Sequence, residues 1–152
     1  MPASTHTATI AAPREAVFAF VADGETAPRW RSGVLDISHA AGTGVGTTYR
    51  QGTNGPGGRR IDADSEITVD EPPSRLSFRV TAGPVRPVGD YVFEAVPEGT
   101  RLTFSLSAEL SGFKRFLLGR MVQGTMDSEV RAIERIANAM TGPAAGGPGE
   151  TA

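Results

Sequence analysis

Three side chains in this sequence have the chemistry to move a proton or to hold a developing negative charge near neutral pH. His39 is the only histidine in the body of the chain, because His6 stands close to its start, and histidine titrates nearest to neutrality. Tyr49 and Tyr91 are the only tyrosines, and a phenol can act as an acid or donate a hydrogen bond to an oxygen. These three residues are the catalytic candidates, although a lone histidine beside alanines also fits an exposed or structurally bonded side chain.

Other kinds of site find little support in the residue types. The absence of cysteine excludes disulfides, thiolate metal sites, iron–sulfur clusters and cysteine nucleophiles. The alternating acids Asp62, Asp64 and Glu66 fall on one face of a strand opposite Arg79, so we interpret them as a solvated charged face rather than a cation site. The glycine-rich residues 42–48, GTGVGTT, lack the lysine of a phosphate-binding loop and precede a strand instead of a helix. We expect no metal and no cofactor.

Length and charge limit the classes of protein and partner. A chain of 152 residues fits one domain with a sizeable core, and we assign residues 1–140 to it. Residues 141–152, TGPAAGGPGETA, are dominated by glycine, proline and alanine, so we expect a disordered tail. The formal net charge is −2, with both signs interspersed, and we therefore expect no nucleic-acid partner.

The apolar runs are short. The longest, AVFAFVA at residues 16–22, cannot cross a bilayer, and the chain does not open with a basic segment followed by an apolar one. We expect a cytoplasmic protein without an integral membrane segment, as a monomer or a homodimer.

The pattern of elements predicts an α+β fold. Residues 5–11 fit a short strand, and Pro13 and Glu15 suit the start of a helix over 13–22. Residues 34–110 alternate with period two between clusters of glycine and proline, which predicts an antiparallel meander of about six strands. After Ser111, apolar residues at spacings of three and four predict one helix of nearly thirty residues across the sheet.

Two hairpins set the expected register and the inward face. The stretch 67–80, ITVDEPPSRLSFRV, is hinged on a double proline. We expect it to pair Ser65 with Val80, Glu66 with Arg79, Ile67 with Phe78, Val69 with Leu76 and Asp70 with Arg75. The hairpin around residues 97–100, PEGT, is expected to pair Tyr91 with Leu106, Phe93 with Phe104 and Ala95 with Leu102. In both hairpins one face is apolar, so the sheet buries one side.

This order of elements resembles the helix-grip fold of the START and Bet v 1-like (SRPBCC) superfamily, in which about seven curved strands wrap around a long C-terminal helix. Several phrases look like its bacterial polyketide cyclase/dehydrase branch: APREAVFAFVAD at 12–23, GVGTTYR at 44–50, EITVDEPPSRLSFR at 66–79 and YVFEAVPEGTRLTF at 91–104. Trp30 matches a tryptophan that this family often carries after its short helices. The resemblance implies an apolar cavity between the sheet and the helix that binds a hydrophobic small molecule.

Residues of inward parity on the strands, with others available from the long helix, are the expected lining of that cavity: Tyr49, Ser65, Phe78, Tyr91, Phe93, Phe104, Phe116, Met121, Val122 and Met126. The same residues would also suit an ordinary filled core. Three functions stay open: a polyketide cyclase or aromatase, a lipid or quinone carrier without catalysis, and a protein-interaction module of the chaperone-regulator type. The scarcity of inward ionisable residues favours carriage over catalysis.

Overall fold

Eight antiparallel strands form one curved sheet in the part of the chain that the structure describes. The structure is a computed structural model that describes residues 2–141, without the side chains of residues 56 and 113–115. The predicted disordered tail therefore lies outside the described residues, apart from Thr141. The strands are β1 (Ala3–Ile10), β2 (Val34–Ala41), β3 (Thr48–Asn54), β4 (Arg60–Asp62), β5 (Ser65–Glu71), β6 (Arg75–Val80), β7 (Val88–Val96) and β8 (Gly99–Ser107).

Consecutive strands are mostly neighbours, as expected for a meander. The order across the sheet is β1-β8-β7-β6-β5-β3-β2, and the three-residue β4 pairs with β3 beside this path. Helix α1 (Arg14–Ala22) and a 3₁₀ helix (Gly24–Arg29) connect β1 to β2. The predicted α+β fold, a curved antiparallel sheet with a long C-terminal helix, is confirmed, with one strand more than expected because β4 is counted separately.

The C-terminal helix is not one continuous α-helix. Helix α2 covers Gly112–Arg131, a 3₁₀ turn follows at Ala132–Arg135, and a short helix α3 covers Ile136–Thr141. Ile133 and Ile136 lie on the same side of this segment, and both are fully buried. The backbone of Arg131, Ala132 and Ile136 stays right-handed helical, so the 3₁₀ turn changes the hydrogen-bond spacing of the predicted single helix without ending its helical course.

Helix α2 lies chiefly against the edge of the sheet formed by β1 and β8. Ser4 of β1 donates a hydrogen bond of 2.6 Å to Asp127 of α2, and Gln123 donates one of 2.9 Å to the same carboxylate oxygen. Gln123 also donates to the backbone carbonyl of Ala3 at 2.7 Å. The hydrogen bonds from Ser4 and then from Gln123 lower the pKa of Asp127. On the inner face of β7 the contacts come instead from Phe18 of α1, whose ring lies 5.1 Å from that of Phe93, and from Trp30 after the 3₁₀ helix.

Both hairpin registers differ from prediction in instructive ways. In the β5–β6 hairpin the pairs from Ser65–Val80 to Ile67–Phe78 are as predicted, but an irregularity follows, and Val69 pairs with Ser77 instead of Leu76. In the β7–β8 hairpin every partner is displaced by two residues, so that Tyr91 pairs with Phe104. The chain there turns tightly enough for Val96 to pair with Gly99. A displacement of two keeps each side chain on its predicted face, whereas the displacement in β5–β6 does not.

Candidate ligand-binding site

An aromatic cluster lies on the inner face of β6, β7 and β8, and Tyr91 is at its centre. The Tyr91 ring stacks on Phe104, with ring centroids 4.1 Å apart and planes 14° apart. Phe78 and Phe93 lie on either side of Tyr91, at centroid distances of 6.0 and 6.3 Å. Trp30, which follows the 3₁₀ helix, approaches the Tyr91 ring edge-on at 6.4 Å. The alternation of β7 and β8 therefore assembles the predicted inward aromatic residues into one contiguous surface.

Phe78 is the member of this cluster that reaches solvent. It is partly exposed, whereas the other four aromatic side chains are buried. Its ring lies directly over Gly89 of β7, where a β-carbon would collide with the ring atoms. Glycine at this position therefore allows Phe78 to lie flat on the neighbouring strand and next to Tyr91.

Two hydrogen-bonding groups of the cluster have no hydrogen-bond partner among the residues that the structure describes. The indole Nε1 of Trp30 is fully buried without an acceptor, and the residue as a whole is only 3% exposed. Within the described part of the chain, no group is hydrogen-bonded to the Tyr91 hydroxyl either. A buried donor that is left unpaired is costly, so the Trp30 Nε1 favours a role in binding, and the Tyr91 hydroxyl adds a second donor to the same cluster.

A largely buried ion pair lies beside Tyr91. The Arg31 guanidinium donates to the Glu129 carboxylate at 3.0 Å through one terminal nitrogen and at 3.3 Å through Nε. The two side chains are 14% and 19% exposed. Burial by itself disfavours the charge on Arg31, but attraction to Glu129 outweighs it and raises the pKa of Arg31. This pair joins the loop after Trp30 to helix α2 close to the cluster.

The surroundings of Tyr91 keep its hydroxyl protonated. Burial is the largest effect and raises the pKa of Tyr91, the nearby Arg31 charge opposes that rise, and the Glu129 charge adds to it. A phenol in this state is a hydrogen-bond donor at neutral pH and not a base.

Tyr49, by contrast, has a structural position. Its hydroxyl accepts a hydrogen bond from the Gly24 backbone N–H at 3.2 Å and donates one to the Ala22 carbonyl at 3.4 Å. Its ring lies against Gly24, where a β-carbon would be only 2.6 Å from the ring. Tyr49 therefore attaches β3 to the corner between α1 and the 3₁₀ helix, and both of its polar contacts are used there.

His39 is exposed near the end of the edge strand β2. Its Nε2 lies 2.7 Å from the carbonyl of Gly42 and donates to it, while its backbone N–H donates to Glu25 at 2.9 Å. The rings of His39 and Tyr49 meet edge-on at 5.9 Å. Strands β5 and β6 separate this contact from Tyr91, so the three catalytic candidates are not brought together.

The remaining predicted lining residues divide into buried and exposed groups. Ser65, Val122 and Met126 are buried, the last two through the face of α2 that packs on the sheet. Phe116 and Met121 are 84% and 47% exposed, on the opposite side of that helix. Contrary to the prediction from the sequence, these two residues therefore do not contribute to an enclosed apolar lining. The buried residues nearer the C-terminus of α2 determine which side of the helix faces the sheet, and Phe116 and Met121 lie away from that side.

Sequence reasoning missed Arg31 and Glu129, and it noted Trp30 for its match to a family tryptophan without including it among the lining residues. The two charged residues are 98 positions apart, and neither belongs to a motif. The available signal was local: Arg31 directly follows the single tryptophan, and Glu129 directly precedes the buried Val130. Each charged residue therefore stands next to a large apolar residue that is expected to be buried.

Two concave surfaces lie elsewhere on the molecule. One, of about 510 Å³, is lined by residues 11–15 and 95–99, and the other, of about 710 Å³, is lined by residues of 83–88 and 107–109. Neither lies between the aromatic cluster and α2. No helix within residues 2–141 is long and apolar enough to cross a membrane.

Comparison with known proteins agrees with this architecture. Residues 1–138 match the family described as polyketide cyclase/dehydrase and lipid transport. The chain belongs to this family. A further relative is the uncharacterized protein Rv2574 of Mycobacterium tuberculosis, which is 31% identical over 113 residues. That match covers 70% of this chain and 65% of the relative, so the chain spans less than two thirds of the relative's length.

Solved structures of other proteins superpose over nearly the whole chain. TTHA0849 from Thermus thermophilus is 25% identical, with a TM-score of 0.80 over 95% of this chain and 100% of that one. The di-domain aromatase/cyclase BexL of the BE-7585A biosynthetic pathway is 18% identical, with a TM-score of 0.77 over 93% of this chain and 50% of that one. At 18% identity, the similarity to BexL shows a shared fold only.

Proposed function

We propose that this protein binds a hydrophobic small molecule on the inner face of β5, β6 and β7, and that Tyr91 and Trp30 hold an oxygen atom of that molecule. The observation that carries the proposal is the pair of unpartnered donors, the Tyr91 hydroxyl and the Trp30 Nε1, inside an aromatic cluster. Flat rings supply apolar contact, and a hydrogen-bond donor on each of two neighbouring rings can hold an oxygen of the ligand. Family membership supports the same kind of ligand.

The proposed route of entry is past Phe78. Helix α2 covers mainly β1 and β8, so the partly exposed Phe78 ring is the boundary between the cluster and solvent over the middle strands. Movement of this ring would open the cluster without moving α2. A carbonyl or a hydroxyl oxygen on a fused-ring or polyketide-like molecule would meet both donors.

In a cyclase, Tyr91 would serve as a donor to a developing enolate oxygen, as its protonated state allows. The aromatase/cyclase BexL has the same fold, which is compatible with this version.

Carriage without turnover is the second candidate function. Within the described residues, the charged pair nearest the cluster, Arg31 and Glu129, is already engaged in an ion pair, and His39 lies on the edge strand far from it. A cyclase needs a base to remove a proton from carbon, and no free one adjoins Tyr91 in this part of the chain. A carrier needs only the apolar surface and the two donors.

The proposal can be tested with two ligands of the same shape. We expect the ketone 9-fluorenone to bind about thirtyfold more tightly than the hydrocarbon fluorene, because one hydrogen bond contributes about 1 kcal/mol and leaving both donors unpaired costs about as much again. Equilibrium dialysis measures both affinities. Tyr91→Phe should remove most of the preference for the ketone, whereas the matched variant Tyr49→Phe should retain it. Equal affinity for the two compounds in the unmodified protein would refute oxygen recognition, and binding of neither would refute the site.

Native mass spectrometry of protein taken directly from its producing cell would identify a co-purifying ligand. A single fused-ring species with a carbonyl or hydroxyl oxygen would support the site, and a saturated hydrocarbon chain without such an oxygen would contradict it.

A further inference from the structure

The first half of α2 exposes an apolar surface on the side away from the sheet. Phe116 is 84% exposed, Leu117 57% and Met121 47%, while the core contacts of this helix come from Val122 and Met126. Positions i, i+1, i+4 and i+5 of a helix share one side, so Phe116, Leu117, Arg120 and Met121 form one surface, the outer face of α2. Three large apolar side chains exposed together on a single helix face usually indicate a partner.

The charge of this segment is opposite in sign to that of the whole chain. Between Glu109 and Asp127 the sequence contains Lys114, Arg115 and Arg120 and no acidic residue, although the chain as a whole has a formal charge of −2. Arg120 itself is exposed and belongs to the outer face. The other large apolar residues that are exposed in the described chain, Leu35, Val45 and Val88, lie on β2, on the β2–β3 loop and on β7, and they do not share this concentration of positive charge.

We propose that the outer face of α2 is a docking surface for an anionic lipid bilayer, on which the helix lies parallel to the membrane plane. Aromatic and aliphatic side chains on one face with arginine and lysine in the same segment are the pattern of helices that bind at lipid interfaces. Phe116, Leu117 and Met121 enter the boundary between headgroups and acyl chains, and the exposed Arg120 meets the lipid phosphates. A second copy of this chain on the same face would bring like charges together, whereas an anionic bilayer offers both an apolar boundary and negative charge; an acidic protein partner would leave the chain in solution with the vesicles of the test below. This inference does not rest on the proposed ligand site.

Vesicle flotation tests the proposal. The full chain should float with vesicles of phosphatidylcholine and phosphatidylglycerol and remain in solution with phosphatidylcholine alone, and high salt should weaken the binding. Arg120→Gln should weaken binding about fivefold, because one cation near an anionic surface contributes about 1 kcal/mol. The double variant Phe116→Ser with Leu117→Ser should weaken it at least about tenfold, since two apolar side chains no longer enter the boundary.

Matched controls distinguish binding through the outer face of α2 from non-specific adsorption through any exposed apolar side chain. Val45→Ser removes an equally exposed apolar side chain outside α2 and should leave vesicle binding unchanged. Equal binding to neutral and anionic vesicles, or no binding to either, would overturn the proposal. So would sedimentation velocity that shows a dimer which the Phe116→Ser variant abolishes, because the face would then be covered by a second copy. Dialysis of 9-fluorenone on the same variants keeps this result distinct from the ligand site.

Discussion

Removing one oxygen atom from each of the two tyrosines should have opposite effects on stability. Tyr49→Phe deletes a hydroxyl with two backbone partners, the Gly24 N–H and the Ala22 carbonyl. Tyr91→Phe deletes a hydroxyl for which the described residues supply no partner, and it preserves the ring that stacks on Phe104. The two changes are chemically identical, so they isolate the role of the hydrogen bonds.

The expected magnitudes follow from those contacts. A net hydrogen bond contributes about 1 kcal/mol, and the two bonds of Tyr49 are long, so Tyr49→Phe should lower the free energy of unfolding by about 1–2 kcal/mol. An unpaired polar group in an apolar site is unfavourable, so Tyr91→Phe should leave that free energy unchanged or raise it by up to about 1 kcal/mol. The difference between the variants is then about 2 kcal/mol, or about 4–8 °C in Tm for a domain of this size.

Urea unfolding followed by the fluorescence of Trp30, the single tryptophan, measures both variants against the unmodified protein, and calorimetry gives Tm independently. Circular dichroism should show that both variants keep the native content of strand and helix. If Tyr91→Phe destabilised the fold as much as Tyr49→Phe, the Tyr91 hydroxyl would have to be satisfied within the protein. The assignment of Tyr91 as a free donor would then be wrong.

Four further substitutions test other contacts. Glu129→Gln should lower the free energy of unfolding by about 3 kcal/mol, because it leaves the charge of Arg31 largely buried without its partner; an unchanged urea midpoint would show that solvent screens the pair. Hydrogen bonds lower the pKa of Asp127 in the folded protein below its ordinary value of 3.8. The ionised carboxylate therefore stabilises the fold at pH values above 3.8, and this stabilisation is lost as the pH falls through the lowered pKa. Asp127→Asn should thus lower Tm at neutral pH and match the unmodified protein in acid; a constant difference at all pH values would contradict this. Gly89→Ala should destabilise by about 1–3 kcal/mol, because the new methyl group meets the ring over it, whereas Gly124→Ala, exposed with open space, should stabilise by about 1 kcal/mol; calorimetry that gave both the same sign would refute the packing described here.

The inward face of the sheet could be predicted because it depends on alternation alone. Tyr91, Phe93 and Phe104 lie on the predicted face even though their partners across β7 and β8 are displaced by two residues. Side chains repeat with period two along a strand, so an error of two in register changes neighbours and leaves faces intact. Partner identity depends on the turn, and the PEGT segment closed more tightly than the sequence suggested.

The register error between β5 and β6 had a different cause. An irregularity between Ile67 and Val69 displaces the pairing, and Arg75 forms its ion pair with Asp90 of β7, at 2.8 Å, instead of with Asp70. The short hydrogen bond from Ser77 to the same carboxylate accompanies this arrangement. A contact with a third strand therefore competes with the hairpin's own pairing, and a hairpin considered by itself gives no sign of it.

The candidate site depends more on tertiary contacts than the sheet does. The alternation of side chains along the strands predicted that both Tyr49 and Tyr91 face inward. Only the position of the 3₁₀ helix shows that the Tyr49 hydroxyl already has hydrogen-bond partners. The exposure of Phe116 and Met121 likewise follows from the phase of α2, which Val122 and Met126 set through contacts with the sheet. The helix carries apolar residues on several sides, so its periodicity alone could not identify the buried side.

Burial sets the protonation of Tyr91 at the centre of this cluster. It is the largest influence on the hydroxyl and raises its pKa; the Arg31 charge lowers that pKa by less, and Glu129, 3.0 Å from the arginine, partly offsets Arg31. A phenol of ordinary pKa is already neutral at physiological pH, so the ion pair is not needed to keep the proton, and its contribution is to join the loop after Trp30 to α2 beside the cluster. An oxygen that entered the cluster beside Tyr91 could accept a hydrogen bond from its hydroxyl, and a hydrocarbon of the same shape could not, which is the basis of the expected preference for a ketone.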